Sequence, residues 1–188
     1  EIDALRLEIE QEIATLKEYK KSIITETVTK GLNKNVPMKD SGIEWIGSIP
    51  SAWGVRRINT LYTPRNTKVN DDDYPPLSVT MKGILPQLEN VAKTDDHSNR
   101  KLVKEGDFVI NSRSDRRGSC GISKYNGSVS LINTVLKPFR NISSSYYDWL
   151  FHTSLFAEEF YKWGHGIVDD LWSTNWQNMR SIFVTYPS

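Results

Sequence analysis

Three arginines stand within five residues in the stretch Asn111-Ser112-Arg113-Ser114-Asp115-Arg116-Arg117-Gly118. Guanidinium groups crowded onto one short segment repel one another, and only solvent or a bound anion relieves that. Arg forks onto O6 and N7 of guanine in the DNA major groove, or onto phosphate. Asn pairs in the same way with adenine, and Ser contacts either. Asn111, Ser112, Arg113, Ser114, Arg116 and Arg117 are therefore the candidate DNA-contacting residues. The bland alternative is an exposed, solubilising loop whose charge Asp115 partly neutralises. Lys82, Arg65, Lys68 and Arg100 are weaker candidates, as side chains that position a phosphate backbone.

Catalytic patterns are missing from the rest of the chain. His97, His152 and His165 lie far apart, with no Cys or carboxylate at ligand spacing, which argues against zinc. No G-x-S-x-G elbow and no phosphate-cradling G-x-x-x-x-G-K-[ST] loop occurs. Tyr74-Pro75-Pro76 looks like part of the Asn-Pro-Pro-Tyr tetrad of amino-methyltransferases but lacks its Asn and its order. No glycine-rich loop for S-adenosylmethionine is visible. The chain reads as a non-enzyme with no metal and no cofactor of its own.

A length of 188 residues suits one domain of ordinary size plus an extended element. Apolar residues at 38% and charged residues at 25% describe a protein that can build a core. No apolar run approaches the roughly 20 residues of a membrane span, and the acidic start is unlike a signal peptide. The single cysteine, Cys120, fits a reducing, cytoplasmic setting. The net charge of +1 hides an asymmetry: residues 56–137 carry fourteen basic and nine acidic side chains, and residues 138–188 carry three and five. The basic excess, in the middle of the globular part, is a modest nucleic-acid footprint.

Two elements must position that segment. Residues 1–36 read as a spacer helix and its short linker. Ile2, Leu5, Ile9, Ile13, Leu16 and Ile23 recur at steps of three and four, forming one apolar stripe that ends near Gly31. Such a rod is roughly 45 Å long, and one domain covers only part of it. A coiled-coil partner helix, parallel or antiparallel, is the reading the stripe asks for. Residues 37–188 read as a globular α+β domain.

The junction Lys39 to Trp53 places Trp45, Trp53, Ile46 and Ile49 among Gly, Ser and Pro. It predicts an irregular loop pinned to the domain face. Val55–Leu61 suggests one or two helical turns. Asn70-Asp71-Asp72-Asp73 reads as an exposed loop. Leu77–Met81 and Ile84-Leu85 read as strands flanking a Lys82-Gly83 turn.

Phe108-Val109-Ile110 is a buried strand and Ser119–Lys124 a second. Asn126-Gly127 then marks a hairpin into one long strand, Ser128–Lys137. Ser145–Asp148 resembles a capping box opening a helix with Trp149, Leu150, Phe156, Ala157, Phe160 and Trp163 on its core stripe. A loop from Gly164 to Asp170, a second capping box over Thr174–Gln177 and a strand at Ile182–Val184 follow. Trp172 and Trp176 are the aromatic rings expected at the surface, where a glycan or an unpaired base would stack.

The order of these segments resembles the specificity subunits of bacterial type I restriction–modification systems. The likeness is carried by Leu16–Glu26, Val28-Thr29-Lys30-Gly31, Lys39–Trp53, Leu77–Ile84 and Gly106–Asn111. It continues through Gly118–Lys124, Val129–Pro138, Gly164–Ile167 and Ile182–Pro187. In that family two target-recognition domains, separated by two helices that pair antiparallel, read the halves of a bipartite DNA site. This chain looks like one such helix followed by one recognition domain with a mixed or antiparallel sheet.

The resemblance implies that loops enter the major groove and that the helix spaces the half-sites. It implies docking of methyltransferase subunits and, through them, the restriction subunits, while the specificity subunit catalyses nothing. The chain starts within the helix without a Met. It stops at Tyr186-Pro187-Ser188, where the family continues into a Pro-Pro-x-x-Glu-Gln segment and the second helix. The expectation is a fragment or a half-length relative whose helix pairs with a second copy of itself. The competing class is a coiled-coil assembly or glycan-binding module that does not touch DNA.

Overall fold

A computed structural model describes residues 2–87, 99–140, 142–166 and 172–187. The long helix α1 runs Ile2–Lys30. It stops where predicted, because Gly31 takes φ +79° and its N–H closes onto the Thr27 carbonyl at 2.9 Å. Only its C-terminal end packs, with Val28 and Thr29 buried and residues 24–27 half-buried. Further out the apolar stripe faces solvent, with Ile2 at 83%, Leu16 at 58% and Ile13 at 46% exposure.

The junction is more regular than its composition suggests. Met38–Asp40 (β1) and Ser48–Pro50 (β2) pair as a short antiparallel hairpin, turned through Gly42 and Gly47 at positive φ. Ile46 and Ile49 are buried, and Trp45 meets Phe156 edge-on. The expected helical turns over Val55–Leu61 are instead a strand, Gly54–Arg57 (β3), and a single 3-10 turn, Ile58–Thr60. Long-range pairing overrides local pattern here. β3 zips onto the final strand Phe183–Tyr186 (β13), and Arg56 and Arg57 lie over the rings of Tyr186 and Phe183.

The remaining strands are Tyr62–Pro64 (β4), Lys68–Val69 (β5), Leu77–Thr80 (β6), Gly83–Pro86 (β7), Arg100–Val103 (β8), Phe108–Asn111 (β9), Cys120–Ile122 (β10), Gly127–Ser130 (β11) and Asn133–Pro138 (β12). They form a sheet in the order β10-β9-β12-β4, a second in the order β11-β8-β5, and the hairpin β6-β7. Every pairing between these named strands is antiparallel.

Two sequence expectations fail in this region. Ser128–Lys137 is not one strand but β11 and β12, which belong to different sheets. Asn126-Gly127 does not close a hairpin between neighbours, since β11 pairs with β8 while β10 pairs with β9. Gly127 serves close approach instead: a Cβ there would meet the Pro75 carbonyl oxygen at 2.5 Å and Leu77 Cγ at 2.8 Å.

Strand β9 joins two cores through its period-two alternation. Phe108 and Ile110 face a large aromatic cluster with Tyr62, Tyr147, Phe151, Phe156 and Phe160. Val109 faces a smaller aliphatic one with Leu77, Ile84, Val103, Val129 and Val135. The aromatic cluster is supplied by Ser144–Phe151 (α2) and Ser154–Lys162 (α3).

The predicted single helix breaks between them because Thr153 caps α3, its hydroxyl accepting the Phe156 N–H at 3.2 Å. Ser143, not Ser145, caps α2. The break turns Trp149 and Trp163 outward, at 52% and 39% exposure, against the expectation that they lie in the core. A last short helix, Trp176–Met179 (α4), is capped by Asn175 rather than Thr174. Residues 167–170 of the predicted loop, and His97, lie outside the described residues. The fold is α+β: a long helix followed by antiparallel sheets and a few short helices.

Candidate nucleic-acid interface

The arginine segment leaves the end of β9 and returns into β10. Asn111 closes its near side, its side-chain Oδ1 accepting the Arg113 N–H at 3.1 Å. Ser114–Arg116 makes a 3-10 turn. Gly118, at φ +74°, then admits the chain to β10 through a conformation a side chain resists.

Asp115 sits between two of the guanidinium groups. Arg113 donates from Nε to its Oδ1 at 2.9 Å, and Arg116 Nε is 3.7 Å from Oδ2. All three side chains stay largely open to solvent, so these pairs orient more than they stabilise. The third, Arg117, lies 5.4 Å from the centroid of the Tyr161 ring. One carboxylate against three guanidiniums leaves an exposed cationic tip on the short span between two sheet strands.

Backing comes from two directions. Tyr161 of α3, at 3% exposure, holds its hydroxyl 3.2 Å from the carbonyl oxygens of both Asn111 and Arg116. The Trp172-Ser173-Thr174 segment lies alongside: Ser114 N–H donates to the Trp172 carbonyl at 3.0 Å, Thr174 N–H to Ser112 at 2.9 Å, and Arg113 bridges Ser173. Trp172 is tied in turn by its indole N–H, which donates to the Tyr161 carbonyl at 2.8 Å. Gly164 leaves room for that indole, since a Cβ there would collide with it. Trp172 and Trp176 are half-buried, so the rings predicted to be displayed are partly packed. Beside the tip opens a cleft of about 580 Å³ lined by Ser114, Asp115, Arg117, Glu158, Tyr161, Lys162 and Trp172.

The other predicted residues divide. Lys82 is exposed on the β6–β7 turn, whose Met81 borders one groove with Arg117 and Gly118. The turn that bears Lys82 thus reaches the tip through Met81. Lys68 is exposed on the two-residue strand β5, opposite Lys101. Three candidates are used inside the fold.

Arg100 is 7% exposed, with Nε donating to Ser128 Oγ and Nη2 to the Ser128 carbonyl, and burial lowers its pKa. Arg65 forks onto Asp107 at 2.6 and 3.0 Å, a hydrogen bond that raises its pKa. Ser112 is buried, its hydroxyl 3.2 Å from that of Thr134. None of these three presents its polar group outward. Their types matched the chemistry, but their partners lie tens of residues away in sequence.

Tyr161 and Lys162 escaped sequence reading for the same reason, and Trp172 was legible as an exposed ring but not as a support of the tip. A tyrosine following Phe160 on a core helix signals only burial. Its contacts with Asn111 and Arg116 span 50 and 45 residues. Among the described residues, no group of three His, Cys, Asp or Glu side chains could hold a metal ion. No described helix is long and apolar enough to cross a membrane.

A long helix leading into an antiparallel, loop-bearing α+β domain is an architecture found in type I restriction–modification (R-M) systems. The HsdS subunit from Thermoanaerobacter tengcongensis superimposes with a TM-score of 0.56 at 12% identity, over 97% of this chain and 43% of that one. A chain from a structure addressing complex assembly and conformational transition of the type I R-M system gives 0.53 at 12% identity, over 96% and 44%. At this identity the likeness establishes the fold. The chain spans less than half the length of either neighbour. No family model matches it, and no curated protein does.

Proposed function

We propose that the chain is a sequence-reading module of a type I restriction–modification assembly. In this reading residues 37–188 are a target-recognition domain for one half of a bipartite site in double-stranded DNA. Residues 1–36 are the spacer that docks partner subunits. The observation that carries the proposal is the exposed Arg113–Arg117 tip on a strand-anchored loop. Arginine forks held on a strand-anchored base match the major-groove face of guanine, and the exposed Lys82 on the β6–β7 turn is a further candidate for phosphate. The module performs no chemistry. Methylation and cleavage belong to methyltransferase and restriction subunits, with their cofactors, in the cytoplasm.

The helix carries the second half of the proposal. Residues 1–12 hold five acidic side chains and one basic, while residues 13–30 hold four basic and two acidic. Antiparallel pairing sets the acidic half of one helix against the basic half of another, and parallel pairing sets like against like. In isolation the chain pairs with a second copy; in the assembly, an equivalent helix takes that place.

The test is selection of duplexes from a random pool, by the chain alone and with a methyltransferase subunit, at two salt concentrations. Enrichment of a short sequence, lost in the Arg113→Ala/Arg116→Ala/Arg117→Ala variant, supports the reading. Binding without enrichment, or enrichment that survives the triple substitution, defeats tip-mediated recognition. No binding in either setting leaves the exposed Ile2–Ile23 stripe, and assembly, as the better account.

A further inference from the structure

We infer that Tyr161 is the positioning residue of the arginine tip, holding the loop at the width that sequence discrimination needs. The assignment rests on the DNA reading above and names a residue that touches no DNA. Asn111 and Arg116 stand on the two limbs of the loop. A single phenolic hydroxyl lies 3.2 Å from both of their carbonyl oxygens, sharing one proton between them. Both limbs are thereby referenced to one atom on α3. The ring of the same residue supports Arg117.

Tyr161 is itself immobilised. It is almost fully buried, it packs edge-on against Phe160 at 5.0 Å, and its carbonyl accepts the Trp172 indole N–H. Burial raises the pKa of the phenol, so the hydroxyl keeps its proton and remains a donor near neutral pH. A bidentate fork onto a base edge tolerates errors of only about 0.5 Å. A phosphate contact is a point-charge attraction and tolerates a mobile side chain. Loosening the base of the loop therefore costs discrimination before it costs affinity.

Tyr161→Phe removes the hydroxyl and keeps the ring. The control is Tyr147→Phe, which deletes a comparable buried phenol bond, to the Thr185 carbonyl, away from the tip. Two readouts are taken on wild type and both variants. One is amide hydrogen exchange at Ser114, Arg116 and Ser119, whose N–H groups donate to Trp172, Arg113 and Arg116. The other is the affinity ratio between the enriched duplex and a random one, with the salt slope of each.

Tyr161→Phe is expected to exchange these amides about tenfold faster and to lower the affinity ratio about tenfold, with random-duplex affinity and salt slope unchanged. Tyr147→Phe is expected to leave both readouts at wild-type values. Equal exchange and an equal ratio in Tyr161→Phe overturn the assignment, as does an equal loss in Tyr147→Phe. A wild type that enriches no sequence instead ends the DNA reading, and the assignment falls with it.

Discussion

The phenol of Tyr146 donates a 2.6 Å hydrogen bond to the carbonyl oxygen of Val28, joining α2 to the last turn of α1. The Thr185 hydroxyl of β13 reaches the same carbonyl at 3.5 Å. Val28 and Thr29 are the only buried residues of α1, so this knot is where the helix is tied to the domain. Burial pushes the Tyr146 pKa up to about 12. Tyr146→Phe leaves the Val28 carbonyl short of its best donor and is expected to cost about 1–2 kcal/mol. A lower urea midpoint with an unchanged slope is the expected result. An unchanged midpoint would show that Thr185 alone suffices.

Asp107 is 2% exposed and accepts three donors: Arg65 Nε, Arg65 Nη2 and the Lys104 N–H. The pair links β4's edge to the turn entering β9, the strand that carries the tip. Asp107→Ala strands a guanidinium that is only 16% exposed and is expected to destabilise by about 3 kcal/mol. Chemical denaturation measures it. A loss below about 1 kcal/mol would return Arg65 to the pool of available surface cations.

Alkaline pH should weaken the fold. Tyr62, Tyr146, Tyr147, Tyr161 and Cys120 all have pKa values raised, foremost by burial. For each, the unfolded chain releases its proton first, near 9.0 for the thiol and 10.0 for the phenols. Their contribution is therefore complete below pH 9 and declines as pH rises through 10 toward the raised native values. Urea midpoints from pH 7 to 11 should fall progressively above pH 9. A flat profile would mean that these groups are hydrated in the native state.

Much of this was legible in sequence, and the failures have physical causes. The helix, its Gly31 stop, the Leu77–Ile84 hairpin and the Phe108 strand follow from local periodicity and turn chemistry. What local pattern could not supply was partnership. Val55–Arg57 became a strand because β13 lies beside it, and Asn126-Gly127 lost its hairpin to the pairing of β11 with β8. Arg65 and Arg100 look like Arg113 and Arg116 in one dimension. Only the distant Asp107 and Ser128 turn the first two inward.

The exposed stripe of α1 makes the last prediction. Leu5, Ile9, Ile13, Leu16 and Ile23 remain exposed along a helix whose only buried residues are at its far end. Pairing with another helix removes that surface from water at roughly 25 cal/mol per Å², and the charge segregation favours the antiparallel arrangement. Ile13 and Leu16 lie near the helix midpoint, where an antiparallel pair would set them against their own copies.

Ile13→Lys/Leu16→Lys should therefore convert a dimer into a monomer at micromolar concentration, read by light scattering. Neither residue touches the described core, so the thermal midpoint of the domain should stay within a few degrees once concentration dependence is removed. Cysteines placed at Leu5 and Ile23 in separate copies should cross-link to each other rather than to themselves. A wild type that is monomeric at high micromolar concentration would end the self-pairing proposal, and Leu5-to-Leu5 cross-links would reverse the orientation.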